Sequence, residues 1–360
     1  MRGQDARDTL IALPSSMHLA TFCGMKDVIA IIGDGAWGTV CGIMLAENAH
    51  RVRLWSAFPD AARELQQYRE NRRYLPGMAL PENIEITGDD AEALKDVSLA
   101  VSAVPTQFMR SSWGRLLPHC PAGIAICSVA KGIENKTLLT PTQILADVLR
   151  DRAPGLSALS GPSIAPEVAS KLPASVAVAA HDAALAQRVQ ELITRPYFRV
   201  YTNQDVLGVE IAGATKNVIA IAAGILDGLG AGDNAKAALL TRGLVEITRL
   251  GLAMGAQPQT FAGLAGMGDL VTTCISPVGR NRTFGETIGR GGTVQQALAQ
   301  SAGVVEGMAT TESVVELAKR LDVEMPITQG VHEVVFQGRS PREAIRELMT
   351  RPLRPEGSRQ

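Results

Sequence analysis

The sequence is poor in aromatic residues and has no excess of either charge. Phe, Trp and Tyr make up 4% of its 360 residues, and the formal net charge is −1 at pH 7. A near-neutral chain argues against nucleic acid or an anionic membrane as the main partner. No run of about 20 residues is free of charge, so the sequence predicts no membrane span.

Cysteine and histidine form no recognisable clusters. The cysteines, Cys23, Cys41, Cys120, Cys127 and Cys274, are odd in number and contain no C-x-x-C pair. Such a set favours reduced thiols and therefore a cytoplasmic protein. The five histidines are also dispersed, so the sequence predicts no metal site and gives no support to a His-based triad.

The first 24 residues differ from the rest. The segment MRGQDARDTL carries two aspartates, and no long apolar core follows it, so it is a poor secretory signal. Met25 stands directly before the first apolar strand. We expect residues 1–24 to be a disordered tail or a misassigned start.

Strand-like and helix-like segments alternate from residue 26 onward. The predicted strands are 28–32, 51–55, 84–87, 99–104, 124–129, 156–160, 175–179 and 198–202. Alternation of this kind predicts a largely parallel sheet with helices on both faces. After Asn203 only helices are expected, including 208–226, 235–254, 294–300 and 311–321. The predicted fold is therefore an α/β Rossmann-like domain (25–203) followed by an all-α domain (204–354).

The first strand leads into a glycine motif. Gly33, Gly35 and Gly38 have G-x-G-x-x-G spacing between an apolar strand and a helix, which is the context of a dinucleotide site. Gly33 would allow the tight turn, Gly35 the approach of a pyrophosphate, and Gly38 close packing of the helix on the strand. The alternative is an ordinary strand–helix turn.

The end of the second strand gives no coenzyme preference. An acid there favours NAD and an arginine favours NADP. This chain has Ser56, Ala57 and Phe58 at that point, and Asp60 comes slightly late.

Lys216 lies in a segment that otherwise looks built for burial, VEIAGATKNVIAIAAGI. Its helical neighbours are Ala212, Gly213, Ile219 and Ala220, so no ion pair within the helix explains it. One interpretation is a lysine whose stem packs on apolar surface while its head reaches water. The other is a desolvated lysine that faces a cleft and transfers protons.

Other polar residues follow strands or precede helices. Lys131 follows the fifth strand and Ser163 the sixth, so both can line a cleft at the carboxyl ends of the sheet. Asp269 lies in GMGDL and Glu306 in VVEG. The structural alternatives are a helix N-cap for Ser163, a turn residue for Asp269 and a solvated loop acid for Glu306. Trp37 has core packing as its alternative.

The motifs NRRYLPG, SGPS, VEIAGATKNVIAIAAGI, TRGL and RNR, in this order and spacing, resemble those of NAD(P)-dependent glycerol-3-phosphate dehydrogenases over residues 26–338. The resemblance implies reversible NAD(P)H-dependent reduction of dihydroxyacetone phosphate to sn-glycerol 3-phosphate, a precursor of phospholipids. It also implies a cytoplasmic homodimer and a 6-phosphogluconate-dehydrogenase-like helical domain.

The resemblance assigns site residues by position. Lys216 matches the proton-transferring lysine, with Lys131 and Asp269 beside it as catalytic candidates. The implied substrate-binding residues are Lys131, Gly161, Ser163, Lys216, Asn217, Asp269, Gly279, Arg280 and Asn281. The implied cofactor-binding residues are Gly33, Gly35, Ala36, Trp37, Gly38, Ala57, Phe58, Lys131, Ala165, Arg280, Val304 and Glu306.

Two positions depart from the bacterial pattern. Gly279 stands where serine is common, and we expect its backbone N–H to remain available to a phosphate. Ala57 or Phe58 stands where a basic residue is common, which puts strict NADP preference in doubt.

A buried Lys216 has a chemical consequence. Burial and a nearby Lys131 would lower its pKa, while a close Asp269 would oppose them. Reduction tolerates a charged lysine and oxidation requires a neutral one, so oxidation should favour alkaline pH. Two rival functions stay open: a dehydrogenase of 3-hydroxy acids with the same architecture, and a nucleotide-sensing protein without chemistry.

Overall fold

The computed structural model describes residues 28–48, 50–301, 303–353 and 355. The segment expected to be a tail, residues 1–24, lies outside the described residues, as does Cys23. The other four cysteines are buried and have free thiols.

One sheet of eight strands forms the first half of the chain. The strands are β1 (Val28–Ile32), β2 (Arg51–Trp55), β3 (Ile84–Thr87), β4 (Val97–Ser102), β5 (Ala125–Ser128), β6 (Gly155–Ser160), β7 (Ala174–Ala180) and β8 (Phe198–Asn203). Their spatial order is β3-β2-β1-β4-β5-β6-β7-β8. Every neighbouring pair is parallel except β6 with β7, which is antiparallel. The predicted strands and the largely parallel sheet are confirmed.

Helices connect most of the strands and make up the second half. Between strands lie α1 (Ala36–Glu47), α2 (Pro59–Tyr68), α3 (Asp90–Leu94), α4 (Thr106–Leu116), α5 (Pro141–Leu149), α6 (Ala165–Ala169) and α7 (Ala183–Ile193). After β8 come α8 (Val206–Leu229), α9 (Asp233–Ala253), α10 (Pro258–Ala262), α11 (Asp269–Ile275), α12 (Arg280–Gly289), α13 (Val294–Ala299), α14 (Glu306–Arg320), α15 (Pro326–Phe336) and α16 (Pro341–Thr350). The predicted fold class, a Rossmann-like domain followed by a helical one, is confirmed.

The sheet is buried on both faces, and β1 shows why its sequence is an uninterrupted apolar run. Ile29 and Ile31 pack into the core on one face, with residues of α1 and α7. Ala30 and Ile32 point to the opposite face and pack with residues of α4 and α5. A strand whose alternate side chains are all buried needs apolar residues at every position.

Helix α8 is the core helix of the second half. It is the one helix among the described residues that is long and apolar enough to cross a membrane, but its most apolar 18-residue window is 100% buried inside the protein. The side chain of Asp205 caps its start by accepting from the N–H of Gly208 at 2.9 Å. Gly230, in the left-handed region at φ 67°, ends it.

Helices α8 and α12 cross with their backbones in contact. Gly224 and Gly228 of α8 face Gly285 and Gly289 of α12, and we call these four residues the glycine seam. A Cβ atom at Gly224 would overlap the carbonyl oxygen of Arg282, and one at Gly285 would overlap that of Ile221. The seam therefore fixes the position of α12, which begins at Arg280, relative to the helix that carries Lys216.

The glycine seam predicts that Gly285→Ala destabilises the protein. The added methyl has no space, so we expect a loss of about 1–3 kcal/mol or more in the free energy of unfolding. Gly114→Ala is the matched control, because Gly114 lies in α4 and its Cβ would meet nothing within 4 Å. It should stabilise by up to about 1 kcal/mol. Urea unfolding of both variants measures the difference, and equal stabilities would contradict the close crossing.

Candidate active site

The glycine motif forms a turn that fits a dinucleotide. Gly33 has φ 116°, and a Cβ there would come within 2.9 Å of the backbone of Ala103. A Cβ at Gly38 would overlap the carbonyl oxygen of Gly33, whereas one at Gly35 would meet nothing within 4 Å. The first and third glycines are thus needed for packing, and the second leaves open space above the backbone.

The start of α1 adds to this fit. Ala36 and Trp37 are its first two residues, no side chain caps its N-terminus, and its first turn has no acidic residue. The free amides and the helix dipole suit a pyrophosphate.

Trp37 contributes to the core. Its ring lies 5.9 Å from that of Phe198, centroid to centroid, and packs against the same core as Ala165, the first residue of α6. Its indole Nε1 is buried without a hydrogen-bond partner among the described residues. The Trp37 ring therefore packs in the core, as the alternative predicts, while its indole N–H has no partner among the described residues.

Lys216 is buried, and its partner comes from another helix. The residue is 5% exposed, and its Nζ donates to Oδ1 of Asp269 at 2.6 Å. The same Nζ donates to Oγ1 of Thr273, one turn further along α11. The alternative in which the lysine head reaches water is wrong.

Lys131 shares the same carboxylate. Its Nζ donates to Oδ2 of Asp269 at 2.7 Å and to the carbonyl oxygen of Gly161 at 3.0 Å. Asp269 is 1% exposed and begins α11, directly after a π-helical turn at Leu264–Gly268. The turn-residue alternative for Asp269 is wrong, because its carboxylate bridges two ammonium groups in the interior.

The carboxyl ends of β5 and β6 supply the first-domain side of this cluster. Lys131 follows β5, and Gly161 follows β6 with φ 143°. The hydroxyl of Ser163 donates to the carbonyl oxygen of Gly161 at 2.9 Å. The N-cap alternative for Ser163 is wrong, since Ile164 occupies the N-cap of α6 and no side chain caps that helix.

The electrostatics of the cluster set two pKa values. Burial lowers the pKa of Lys216 to about 8, with Lys131 acting in the same direction and Asp269 opposing it. Burial alone would raise the pKa of Asp269, but the ammonium groups of Lys131 and Lys216 outweigh it and lower that pKa. Asp269 is therefore a carboxylate at neutral pH, and Lys216 is close to its own titration point.

A second group of predicted residues lies at the start of α12 and α14. Nη1 of Arg280 donates to the carbonyl oxygen of Val304 at 2.9 Å, and Oδ1 of Asn281 accepts from the N–H of Gly307 at 3.0 Å. The other guanidinium nitrogens of Arg280 have no hydrogen-bond partner within the described part of the chain.

Asn217 joins the two groups. Its Nδ2 donates to the carbonyl oxygen of Lys131 at 3.1 Å. A Cβ at Gly307 would come within 2.7 Å of both the carbonyl oxygen of Asn217 and Oδ1 of Asn281. The predicted substrate-binding residues of α8 and α12 thus meet at one glycine.

Glu306 belongs to the same cleft. It is the first residue of α14 and is half-buried. Burial raises its pKa, and the charges of Arg280, Lys131 and Lys216 partly offset this. The alternative of a solvated loop acid is wrong.

The backbone N–H of Gly279 has a partner within the protein. Its N–H, expected to be available to a phosphate, donates to the carbonyl oxygen of Ser276 at 3.3 Å. This bond closes the turn before α12, for which Gly279 is the N-cap residue.

Ala57 and Phe58 lie apart from the lysine cluster, at the end of β2. Phe58 is the N-cap residue of α2, and its side chain is 69% exposed.

Sequence reasoning missed two residues of the lysine cluster. Thr273 bonds Lys216, and Oγ of Ser160 donates to Oδ2 of Asp269 at 3.4 Å. The spacing of Thr273 four residues after Asp269 places both on one face of α11, and this signal was available in the sequence. In the described ranges, no group of three or more His, Cys, Asp or Glu side chains could hold a metal ion.

Comparisons with known proteins give a consistent result. Family models for the N-terminus and the C-terminus of NAD-dependent glycerol-3-phosphate dehydrogenase match residues 28–186 and 205–346. A relative from Citrifermentans bemidjiense, named glycerol-3-phosphate dehydrogenase (NAD(P)+), is 51% identical over 334 residues, which are 92% of this chain and 100% of the relative.

Solved structures agree. A crystal structure of glycerol-3-phosphate dehydrogenase from Coxiella burnetii is 38% identical, with a TM-score of 0.87 over 91% of this chain and 99% of that one. A PanE/ApbA family ketopantoate reductase from Ralstonia eutropha is 16% identical, with a TM-score of 0.55 over 88% of this chain and 99% of that one, and so shares the fold alone.

Proposed function

The chain belongs to the NAD-dependent glycerol-3-phosphate dehydrogenase family, and from this premise we propose that it reversibly reduces dihydroxyacetone phosphate to sn-glycerol 3-phosphate. It is an oxidoreductase that uses NAD(P)H. A role in supplying the phospholipid backbone, a cytoplasmic location and a homodimeric state form part of the proposal and depend on the family resemblance.

The observation that carries the proposal is the lysine pair on Asp269. An ammonium has three donors. Lys216 uses two of them, on Asp269 and Thr273, and Lys131 uses two, on Asp269 and Gly161. Each lysine therefore keeps one donor for a substrate oxygen, and both lie at the carboxyl edge of a sheet whose first turn fits a dinucleotide.

The chemistry then divides between coenzyme and protein. When bound, the nicotinamide coenzyme would supply the hydride in reduction and accept it in oxidation. We assign to Lys216 the proton that the C2 oxygen gains on reduction and loses on oxidation. Its positive charge also stabilises the negative charge that develops on that oxygen. Asp269 holds both lysines in place, and its negative charge opposes the lowering of the Lys216 pKa by burial and by Lys131.

Arg280 and Asn281 provide the proposed phosphate end of the site. Because Arg280 already donates through Nη1 to Val304, its remaining nitrogens are those available for a phosphate. A phosphate dianion offers this guanidinium more charge and more acceptor oxygens than the carboxylate of a 3-hydroxy acid, so we favour a phosphorylated substrate. A nucleotide sensor without chemistry would give no role to the one donor that each lysine keeps beyond its contacts within the protein.

The assignment of Lys216 predicts a large loss of turnover in Lys216→Met. Removing the proton donor should lower kcat by roughly a hundredfold or more while the dissociation constant for the coenzyme stays unchanged. Asp269 keeps Lys131 as its partner, so the variant should fold. Lys319→Met, an exposed lysine near the end of α14, is the control. Near-normal kcat in Lys216→Met with dihydroxyacetone phosphate would return Lys216 to a structural role.

The pKa of about 8 for Lys216 predicts opposite pH profiles for the two directions. Oxidation needs the neutral amine, so kcat/KM should rise with pH up to about 8 and then level off. Reduction needs the ammonium, so it should stay level below that value and fall above it. Initial rates between roughly pH 6 and pH 10 in both directions measure this. Flat profiles across that range would contradict it.

The proposed phosphate end predicts a selective effect of Arg280→Ala. Loss of a charge-assisted contact with a dianion should raise KM for dihydroxyacetone phosphate by at least about tenfold, with a smaller effect on coenzyme affinity. Arg290→Ala is the control, because Arg290 follows the other end of α12 and its side chain is 69% exposed. Equal losses for substrate and coenzyme would mean that Arg280 also holds the coenzyme.

A further inference from the structure

A carboxylate from the glycine motif, that of Asp34, lies at the end of β2. Ser56 directly follows the strand, and its Oγ donates to Oδ2 of Asp34 at 2.9 Å. Asp34 stands between Gly33 and Gly35 in the glycine motif. A carboxylate therefore reaches the place where a dinucleotide domain distinguishes the ribose hydroxyl of NAD from the 2′-phosphate of NADP.

Asp34 is held in this position by the backbone around it. The N–H of Gly33 donates to the carbonyl oxygen of Trp55, the last residue of β2, at 3.1 Å. Nδ2 of the buried Asn71 donates to the carbonyl oxygen of Asp34 at 2.7 Å. Ser56 itself is fully buried, and its Oγ accepts from the N–H of Phe58 at 3.3 Å. The one hydroxyl proton has two acceptors within reach, Oδ2 of Asp34 at 2.9 Å and the carbonyl oxygen of Phe58 at 3.2 Å, and the carboxylate is the nearer and the charged one.

One oxygen of the Asp34 carboxylate accepts no hydrogen bond from the described residues. Oδ2 accepts from Ser56, whereas Oδ1 of Asp34 has no hydrogen-bond partner among the described residues. Asp34 is half-buried and directly precedes Gly35, above whose backbone there is open space. A carboxylate oxygen with no partner can accept a hydrogen bond from a hydroxyl and repels a second anion.

The cation at this edge is already neutralised. Nη1 of Arg115 donates to the carbonyl oxygen of Ala57 at 3.0 Å, so its guanidinium does lie beside the end of β2. Its Nε and Nη2, however, each donate to an oxygen of Asp90 at 2.6 Å. This bidentate pair leaves little charge for a 2′-phosphate, because both oxygens of Asp90 are within hydrogen-bond distance of the guanidinium.

We propose that Asp34 does the work of the acid that β2 lacks and makes the enzyme select NAD(H) against NADP(H). The ribose hydroxyl of NAD(H) finds an acceptor in Oδ1 of Asp34. The 2′-phosphate of NADP(H) meets a carboxylate that Ser56 holds at this place, and like charges brought together cost binding free energy. The inference rests on the proposed function, since it concerns the coenzyme of that same reaction.

Direct binding tests the proposal without turnover. Isothermal titration calorimetry gives dissociation constants for NADH and NADPH with the wild type, Asp34→Asn and Asp60→Asn. The wild type should bind NADH at least about tenfold more tightly than NADPH, and Asp34→Asn should narrow that ratio by about tenfold, mainly through tighter NADPH binding. Asparagine keeps the size of the side chain and can still accept from Ser56.

Asp60→Asn is the matched control. Asp60 follows β2 by five residues, but its side chain is 89% exposed and pairs with Arg63. Its removal subtracts the same charge and should leave the NADH:NADPH ratio unchanged.

Three outcomes would overturn the inference. The wild type binding NADPH as tightly as NADH is the first, and an unchanged ratio in Asp34→Asn is the second. The third is a preference for NADPH that Arg115→Ala abolishes, which would show that Arg115 and not Asp34 determines the coenzyme preference. Binding of neither coenzyme to the folded wild type would instead remove the proposed function itself, so the two failures are distinguishable.

Discussion

The structure of the site depends on a single carboxylate shared by two buried ammonium groups. Lys131 comes from the end of β5, Lys216 from α8, and Asp269 from the start of α11, and all three side chains are largely out of water. Burying two like charges is costly unless a counter-ion meets both, and Asp269 does so at 2.7 and 2.6 Å. The same contacts join the sheet to the helical half of the chain. The ion cluster, which has the proposed role in proton transfer, therefore also connects the two halves of the chain.

Patterns within the sequence predicted the sheet, whereas the partners Lys131 and Asp269 of Lys216 were predicted only through the family resemblance, and Thr273 and Ser160 were missed. Strands such as β1 are recognisable because burial on both faces demands an unbroken apolar run, and the glycine motif is recognisable because each glycine has a separate steric reason. By contrast, Lys216 and Asp269 are 53 residues apart, and nothing in local spacing pairs them. The antiparallel β6–β7 pairing was likewise not expected, because apolar patterning does not encode strand direction. Gly279 shows a further limit: its amide is used within a turn that only coordinates reveal.

A few backbone groups position the polar side chains of this site through hydrogen bonds. The carbonyl oxygen of Gly161 accepts from both Lys131 and Ser163, and the N–H of Gly307 donates to Asn281. Each of these glycines stands where a side chain would strike a neighbouring backbone or side chain. Side chains of α8, α12 and α14 can converge only because the main chain comes close at these points. These glycines therefore matter because they have no side chain.

The glycine seam between α8 and α12 has a consequence for how such an enzyme can change. With carbonyl oxygens filling the space where any methyl would go, neither helix can come closer to the other or gain a side chain at these four positions. The seam therefore sets the separation of the two backbones that carry Lys216 and Arg280. In a related enzyme that accepts a longer or shorter substrate, we expect the length of the site to change in the loops that follow β5 and β6, because the spacing of α8 and α12 is set by backbone contact.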